Sequence, residues 1–395
     1  MTSTSRLSSY GAAVPPSGIR EIAHLVAGRG DVLHLEYGEP DFNAAPHIVA
    51  AAAAAAEAGA RYTPTPGPME LRAALAAKLA AVQGMHYRPE QVVVTAGGAQ
   101  ALAAVFAATV APGEEVMLPD PGFPNFRMLA ILHGARVVPY RLDPGAGFHP
   151  DPEEIERLLS PRTRLLVLNS PSNPTGAVVN GTDVERIVRA TANNGTVVLS
   201  DEVYDQLIFD GAPVAAAQFA PEWVVGVYSF SKSYAMTGWR LGYLAAGDEV
   251  AATIARIQEP LISCTSALAQ AGAMAALSGP EQTLRDMQAA YRRRRDLVVD
   301  RLHAAGVDVA VPEGAFYCMY PLAPGVDSRL AALALVHEGV ACAPGSAFGD
   351  VARSHLRLSL AAADDVLVEA VDRLTAWSAR TDGGAELAAH QQAGT

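Results

Sequence analysis

The chain has 395 residues, half of them hydrophobic and 18% charged, and its formal net charge is −12. At about 150 residues per domain, this length predicts two or three domains, each with a sizeable core. An acidic chain of this kind is not expected to present a broad basic surface to nucleic acid.

Cysteine and histidine usage and the N-terminal sequence narrow the class further. The three cysteines are odd in number and form no C-x-x-C pair, and the ten histidines are scattered, which argues against a disulfide scaffold and a metal site. Residues 1–18 are rich in Ser, Thr and Pro without an apolar core, and no apolar run reaches the length of a membrane span. We therefore expect a soluble, cytoplasmic protein with no membrane partner.

Lysine is rare in this chain. Of 29 Lys and Arg residues only two are lysines, Lys78 and Lys232. Arg stays protonated, whereas Lys can lose its proton and act as a nucleophile, so each lysine invites a question about its role. Lys78 lies in the helical pattern of residues 71–79, which predicts a solvated surface charge.

Short apolar runs alternate with Ala-rich helical stretches through the first two thirds of the chain. Strands that lack period-two alternation and are separated by helices indicate a mostly parallel sheet covered on both faces. Such sheets bind ligands at the carboxyl ends of their strands. The predicted strands are 92–95, 115–118, 164–168, 196–199, 224–228 and 241–244, and the predicted helices are 99–110, 125–133 and 182–194, the last with Thr182 as its N-cap.

The pattern changes after a long predicted helix, 282–304, whose four arginines 292–295 we interpret as a solvated or ion-paired face. A smaller α/β domain is expected beyond it, with strands near 307–311, 316–320, 340–343 and 355–360 and a helix near 328–338. The predicted organisation is an N-terminal segment, 1–43, that packs with the small domain and is mobile to about residue 18, a large domain, 44–282, a small domain, 283–378, and a mobile tail, 379–395.

Two of the predicted strand ends lead into loops with candidate ligand-binding groups. Gly97-Gly98-Ala99 opens a helix after the first strand, and it is either a plain tight turn or a phosphate site formed by backbone N–H groups and the helix dipole. Asn173 lies in the Pro-rich loop 169–176 after the third strand, where it either stabilises a turn or donates to a ligand.

The next two strand ends carry charge. Asp201 follows a buried strand, so it is either a helix N-cap or a carboxylate that needs a cation, and Tyr204 comes three residues later. Lys232 follows another buried strand among hydroxyls and aromatics, with Arg240 eight residues on. A Lys in a water-poor site near a second cation has a lowered pKa and forms imines with carbonyls. Together the strand ends specify pyridoxal 5′-phosphate (PLP), whose aldehyde, pyridinium nitrogen and phosphate need these groups.

The chain resembles the class I/II, fold-type I PLP-dependent aminotransferases from about residue 17 to 377. The resemblance implies a large domain with a mostly parallel seven-stranded sheet between helices, a smaller α/β domain, and a homodimer. It rests on segments that stand in the family's order: Gly38-Glu39-Pro40-Asp41-Phe42, Arg61-Tyr62, Asn173-Pro174-Thr175-Gly176, Ser200-Asp201-Glu202-Val203-Tyr204, Ser229-Phe230-Ser231-Lys232, Met236-Thr237-Gly238-Trp239-Arg240-Leu241-Gly242, Gly314-Ala315-Phe316-Tyr317 and Arg357-Leu358-Ser359.

The resemblance also implies roles for single residues at the PLP ring. Lys232 would form the Schiff base with PLP and later move the proton between the substrate Cα and the cofactor. Asp201 would pair with the pyridinium N–H, and Asn173 and Tyr204 would donate to the ring oxygen. Phe123 would stack on the ring, in a position where many relatives have Tyr or Trp.

Phosphate and substrate contacts follow from the same resemblance. Arg357 would bind the substrate α-carboxylate as a bidentate pair, and Gly38 and Asn173 would contact the same substrate. Many relatives have Ser or Thr at the position of Ala99, so one phosphate donor is missing here. The phosphate-binding set would be Gly98, Ala99, Ser229, Ser231 and Arg240, with Tyr62 reaching the phosphate of the neighbouring subunit.

The substrate is harder to predict. Dicarboxylate-specific relatives use a second cation, and the matching stretch here, 259–266, contains none. With Ile19 and Tyr37 as possible pocket walls, this favours a neutral, apolar or aromatic amino donor and a 2-oxo acid acceptor.

Three other functions are to be weighed. A β-lyase or cyclising lyase on the same scaffold stays the alternative. A PLP-sensing transcription regulator is disfavoured, because about 37 residues before Gly38 are too few for a DNA-binding head and the chain is acidic. A different nucleophilic enzyme is the third. The segment that would carry its serine, Gly345-Ser346-Ala347-Phe348-Gly349, does not match the G-x-S-x-G of a nucleophile elbow.

Overall fold

The computed structural model describes residues 6–212 and 214–381, and its helices and strands alternate along most of the chain. The strands are β1 Leu33–Leu35, β2 Val92–Thr95, β3 Glu115–Asp120, β4 Arg136–Arg141, β5 Thr163–Asn169, β6 Val197–Asp201, β7 Val224–Ser229, β8 Gly242–Ala245, β9 Tyr317–Pro321, β10 Val340–Pro344 and β11 His355–Ser359. The helices are α1 Ser9–Ala13, α2 Gly18–Leu25, α3 Pro46–Glu57, α4 Met69–Gln83, α5 Gly98–Thr109, α6 Pro124–Leu132, α7 Pro152–Leu158, α8 Gly181–Asn194, α9 Phe230–Ser233, α10 Asp248–Ile262, α11 Ala267–Ser278, α12 Gln282–Ala304, α13 Ser328–His337 and α14 Asp364–Arg380.

The larger sheet has seven strands in the order β2-β8-β7-β6-β5-β3-β4. Only β8 runs against its neighbours, so the carboxyl ends of the other strands meet at one edge. The central strands are buried along nearly their whole length, which is why their sequences are runs of Val and Leu without alternation. The predicted fold class, a mostly parallel sheet between helices, is confirmed.

The smaller sheet has the order β1-β10-β11-β9 and packs with α2, α12, α13 and α14 around a second core. The N-terminal segment supplies β1, which pairs in parallel with β10, and the buried side chains of Ile22 and Val26. The exact division of the chain at residues 43/44 and 282/283 stays a prediction. Among the residues described, no helix combines the length and apolarity that crossing a membrane requires.

Several local predictions need correction. Residues 307–311 form no strand, because Val309 anchors an irregular segment in the core and Pro312 follows, which cannot donate to a ladder. The edge strand β4 was not predicted, since its sequence is interrupted by Pro139 and carries an Arg at each end. Helix α8 is capped by Asn180, whose side chain accepts from the Asp183 N–H at 3.0 Å, and not by Thr182.

The two predicted mobile ends also differ from the structure where it describes them. Residues 9–13 form the short helix α1, capped by the Ser8 hydroxyl, so the N-terminal segment is not irregular throughout. Helix α14 continues to Arg380, so residues 379 and 380 belong to a helix and not to a tail. The rest of the predicted tail, residues 382–395, lies outside the described part of the chain.

Candidate active site

The carboxyl edge of the large sheet gathers most of the polar residues predicted at strand ends. Asn169 at the end of β5 stands directly opposite Asp201 at the end of β6, and Ser229 ends the neighbouring strand β7. The Asn169 amide donates to the Asp201 carbonyl at 3.0 Å, and its oxygen accepts the Asn173 N–H at 2.9 Å. Asn169 was not predicted as a site residue, although it fixes the loop that carries Asn173.

Lys232 lies in α9, the short helix that follows β7, with its side chain half-buried. Its Nζ donates to the carbonyl of Gly38 and lies 5.8 Å from the ring centroid of Tyr204 and 5.6 Å from that of Phe316. Removal from solvent, followed by the Arg357 cation, lowers the Lys232 pKa to about 8. A substantial fraction of the amine is therefore neutral near physiological pH, as a nucleophile toward an aldehyde must be.

Asp201 is a buried carboxylate without a cation beside it. Its Oδ1 accepts the Val203 N–H at 3.4 Å, and no Lys or Arg of the described residues comes within ion-pair distance. Burial raises the Asp201 pKa to about 7, against the opposing pull of Lys232. Such a group is costly unless a cationic partner arrives, and a pyridinium N–H is a partner of that kind.

Arg357 on β11 is a buried cation that also lacks a carboxylate partner in the described chain, with 1% of its surface exposed. Its Nη1 donates to the Asn173 Oδ1 at 3.0 Å and its Nη2 to the Glu36 carbonyl at 2.6 Å. The guanidinium lies 4.4 Å from the Tyr317 ring centroid and 5.0 Å from that of Phe348, and the buried Nε makes no hydrogen bond. This arrangement leaves positive charge available to an incoming anion.

Gly38 must be glycine because of its neighbours. A Cβ at this position would overlap the hydroxyl of Tyr317, which itself shares a 2.7 Å hydrogen bond with the Tyr204 hydroxyl. Burial raises the Tyr204 pKa well above its ordinary value, so its phenol keeps its proton and can donate. The backbone of Gly38 thus lies between Lys232, Tyr204 and the Arg357 site.

The predicted phosphate site lies around the first turn of α5. Gly97 has φ +80°, and a Cβ there would lie 2.6 Å from Nη2 of Arg240. No side chain caps α5, so its first N–H groups and the positive end of its dipole are available. Arg240 donates to the Thr237 carbonyl at 2.7 Å and has no carboxylate partner among the residues described. At the end of β7, Ser229 caps α9, and its Oγ accepts the Ser231 N–H at 3.1 Å.

The remaining predicted residues are less closely joined to Lys232. Phe123 packs edge to face with Phe126, ring centroids 5.7 Å apart, and lines a cavity of about 900 Å³ together with Gly18 and Phe348. Ile19 is half-buried, Tyr37 stands 6.4 Å from the His34 ring, and Tyr62 is 94% exposed. Within the described residues, no hydrogen bond or ring contact joins Phe123, Ile19, Tyr37 or Tyr62 to Lys232.

The prediction that Lys78 is a solvated surface charge is wrong. Its side chain is 11% exposed, and Nζ lies 3.2 Å from Asp205 Oδ2 and 3.4 Å from the Tyr243 hydroxyl. Lys78 follows the buried Leu71 by seven residues and the buried Leu75 by three, so it lies on the same side of α4 as these two side chains. A carboxylate in the turn after Asp201 provides the missing counter-charge, which helical periodicity alone does not reveal.

The groups at this edge of the sheet fit PLP. An amine with a lowered pKa, a buried carboxylate without a cation, and a Gly-rich helix start beside an unpaired Arg fit its aldehyde, its pyridinium nitrogen and its phosphate in turn. The fold and site together are those of a PLP-dependent transferase.

Comparison with known proteins agrees. Residues 30–374 match the family model described as aminotransferase class I and II, and the chain belongs to this family. It is 37% identical over 350 residues to an aspartate/prephenate aminotransferase of Thermus thermophilus, covering 87% of this chain and 90% of that one. It is 35% identical to aromatic-amino-acid aminotransferase 2 of Thermococcus litoralis, with 91% and 95% covered.

A solved structure, aspartate aminotransferase from Thermus thermophilus with maleate, superimposes with a TM-score of 0.90 at 36% identity, covering 94% of this chain and 99% of that one. The predicted family, fold and cofactor are thereby confirmed. The chain is a PLP-dependent aminotransferase.

Proposed function

We propose that the chain transfers the amino group of a neutral, apolar or aromatic L-amino acid to a 2-oxo acid. The observation that carries the amino acid part is the buried Arg357 guanidinium, which has no carboxylate partner in the described chain and an unpaired Nε. The guanidinium donates directly to Asn173 and to the Glu36 carbonyl, and Glu36 lies two residues before Gly38, whose carbonyl accepts from Lys232 Nζ. An α-carboxylate bound there brings the substrate Cα toward the Lys232 amine.

Each residue of the site has a task in this proposal. Asp201 holds the pyridinium nitrogen of PLP, Asn173 and Tyr204 orient its ring oxygen, and Phe123 stacks on its ring. Gly98, Ala99, Ser229, Ser231 and Arg240 bind its phosphate. PLP, when bound, withdraws the electron pair that is left at the substrate Cα when its proton departs. With PLP and substrate bound, Lys232 Nζ would take that proton and return it.

The side chain of the donor is recognised apart from its α-carboxylate, so it needs its own test. The absence of a cation in residues 259–266 supports an apolar or aromatic donor, for whose side chain we propose Ile19 and Tyr37 as pocket walls. One relative is named for aspartate and prephenate and another for aromatic amino acids, so the two substrate classes are the ones to compare.

We also propose that the active unit is a homodimer. Gln270 donates to the Thr63 hydroxyl at 2.9 Å and Gln258 to the Thr65 carbonyl at 3.4 Å, so the loop after Tyr62 packs against α10 and α11. The exposed side chains of Tyr62, Leu261 and Leu268 therefore belong to one region of the surface. Covering them with a second copy removes apolar area from water and brings Tyr62 to the partner's phosphate site.

The test has two steps. The protein is loaded with PLP, reduced with borohydride and digested, and the pyridoxyl label is expected on Lys232; a label on Lys78, or on Lys78 in Lys232→Ala, contradicts the site. A donor panel then follows bleaching of the visible band, and leucine, phenylalanine or alanine is expected to react faster than aspartate. The opposite order refutes the substrate class.

The same assay separates transamination from the lyase alternative, which the comparisons do not support. A transaminase needs a 2-oxo acid acceptor to turn over repeatedly, whereas a lyase releases ammonia and a 2-oxo acid without one. Molar mass measured by light scattering tests the dimer, and Tyr62→Phe is expected to weaken PLP binding without changing the mass.

A further inference from the structure

A largely buried polar cluster adjoins the proposed active site, because two of its members, Asp205 and Ser233, are the chain neighbours of Tyr204 and Lys232. It consists of Lys78 and Gln83 on α4, Glu202 and Asp205 on the turn after β6, and Ser233 on α9. The segment from the end of β6 through this turn serves both sides: Asp201 and Tyr204 belong to the proposed site, whereas Glu202 and Asp205 contact α4. The proposed mechanism uses none of the five residues of the cluster.

Asp205 connects three separate parts of the chain. Its Oδ2 lies 3.2 Å from Lys78 Nζ, and its Oδ1 accepts the Ser233 hydroxyl at 3.4 Å. Ser233 is the neighbour of Lys232, and Asp205 is the neighbour of Tyr204. One carboxylate therefore connects the turn that follows Asp201 and carries Tyr204 to the helix that carries Lys232. It also connects both of them to α4.

The helix that carries Lys232 needs such support. It is four residues long, Phe230–Ser233, and a single turn has no stability of its own because nucleation of a helix is unfavourable. It is followed by Ala235 and Arg240 in positive-φ conformations, with φ +53° and +55°, which are strained for residues with a Cβ. Contacts from outside α9 must therefore fix its position.

Lys78 makes the Asp205 contact possible. The carboxylate of Asp205 is almost entirely buried, and an unpaired buried carboxylate would protonate or move toward water. Burial alone would lower the Lys78 pKa, but the Asp205 carboxylate outweighs this and raises it, so the ammonium stays charged. The faces of the Tyr234 and Tyr243 rings, each with its centroid 5.8 Å from Nζ, confine the charge further.

We infer that Lys78 is a positioning residue of the active site, which acts through Asp205 and Ser233 on the placement of Lys232 and Tyr204. This inference rests on the proposed roles of Lys232 and Tyr204. It assigns a function to the second of the two lysines, at a place where no contact with substrate is made.

The experiment is a double-mutant cycle in the full chain, with Lys78→Met, Asp205→Asn and the combination. Two quantities are measured on each: the dissociation constant of PLP, and the pH midpoint of the visible band of the loaded enzyme, which reports the surroundings of Lys232. Each single variant leaves a buried charge unpaired, so we expect PLP affinity to fall by about tenfold or more. In the combination no charge is left unpaired and the amide oxygen introduced by Asp205→Asn can still accept from Ser233, so we expect recovery to within about threefold of the parent.

Several outcomes decide the question. A purely structural role would lower the unfolding midpoint of the PLP-free protein but leave the PLP affinity and the pH midpoint unchanged, and this result would overturn the inference. Losses of PLP affinity that multiply when Lys78→Met and Asp205→Asn are combined would also overturn the inference. Arg189→Met, which removes an exposed cation from α8, is the control and is expected to change neither quantity.

A milder variant covers the case in which a single variant does not fold. Ser233→Ala keeps both charges paired and removes only the hydrogen bond to α9. We expect a smaller loss of PLP affinity than in Lys78→Met or Asp205→Asn, and a shift of the pH midpoint in the same direction as in those two variants. Parental values for both quantities would contradict the inference. If the parent protein itself did not label at Lys232, the proposed function would fail first. A parent that labels, together with unaffected variants, refutes only the role of Lys78.

Discussion

Replacement of Arg357 by Lys tests the part of the site that distinguishes amino acids from simple amines. Arg357→Lys keeps a positive charge on β11 but loses the planar fork that can hold both oxygens of an α-carboxylate. It also loses at least one of the two hydrogen bonds, to Asn173 and to the Glu36 carbonyl, that now hold the guanidinium in place. If Arg357 binds the α-carboxylate as proposed, the variant therefore removes both a substrate contact and the hydrogen bonds that orient the cation.

The size of the effect follows from the hydrogen bonds involved. A hydrogen bond to a charged group contributes about 1.5–3 kcal/mol, and Lys can replace one of the two donors of the fork at most. Loss of one such bond corresponds to a decrease of roughly 10- to 100-fold in kcat/KM. The decrease should be larger if the lysine, held by fewer contacts, also leaves the carboxylate off-centre.

The assay compares phenylalanine with phenylethylamine, which has the same side chain and amine but no carboxylate, by the rate at which each bleaches the visible band in a single turnover. Parent and variant must first show the same PLP content. We expect the variant to lose roughly 10- to 100-fold on phenylalanine and little on phenylethylamine. Equal losses on the two compounds would refute the assignment of Arg357 to the α-carboxylate.

Other positions give sharp contrasts. Gly97→Ala and Gly195→Ala both place a Cβ at positive φ, +80° and +73°, so each should lower the stability of the fold by about 1 kcal/mol. Only the Cβ at position 97 would meet Arg240, so only Gly97→Ala should also weaken PLP binding. Asp201→Asn should weaken PLP binding yet stabilise the PLP-free protein more at pH 8 than at pH 5, by roughly 2–3 kcal/mol in thermal melts. The reason is that the buried carboxyl of the parent, with a pKa of about 7, stays protonated while the same group in the unfolded chain ionises at about pH 4, so the parent loses stability as the pH rises toward 7. The rate at which the PLP-free protein captures pyridoxal should rise with pH around a midpoint near 8, where Lys232 loses its proton; a midpoint of about 10 would contradict the lowered pKa.

The sequence predicted best those elements whose bounds follow from the local sequence alone. The predicted strand 92–95 and the predicted helix 282–304 have the observed bounds, because a run of Val and a long stretch between a Pro and a Gly leave few alternatives. The ends of the buried strands were placed well enough to bring Asp201 and Lys232 to the same edge. These residues could be found because a charge directly after a buried strand is exceptional.

Contacts between distant segments could not be predicted in the same way. The hydrogen bond between Tyr204 and Tyr317 joins residues 113 positions apart, and the bond from Arg357 to the Glu36 carbonyl joins residues 321 positions apart. Nothing in the local pattern of either partner specifies the other. The packing of the small domain against the sheet edge creates these contacts, and only the family resemblance pointed to Arg357.

The four arginines of α12 show the limit of an interpretation from charge alone. They were assigned to a solvated or ion-paired face, and all four do form ion pairs. What the charge pattern did not show is that Arg294 and Arg295 are buried. Arg294 binds both carboxylate oxygens of Asp41 at 2.8 and 2.9 Å, three residues from Gly38. A helix of the small domain therefore fixes the loop whose carbonyl contacts Lys232, which the sequence of α12 by itself does not indicate.

The structure suggests a physical reason why each of the two lysines is not an arginine. At Lys232 the proposed reason is reactivity, since a guanidinium keeps its proton and cannot attack an aldehyde. At Lys78 the reason is the number of donors. The buried site offers two acceptors, Asp205 Oδ2 and the Tyr243 hydroxyl, between the faces of two tyrosine rings. A compact ammonium with three donors leaves one hydrogen without an acceptor there, whereas a guanidinium would bring five donors in a rigid plane and leave three unsatisfied.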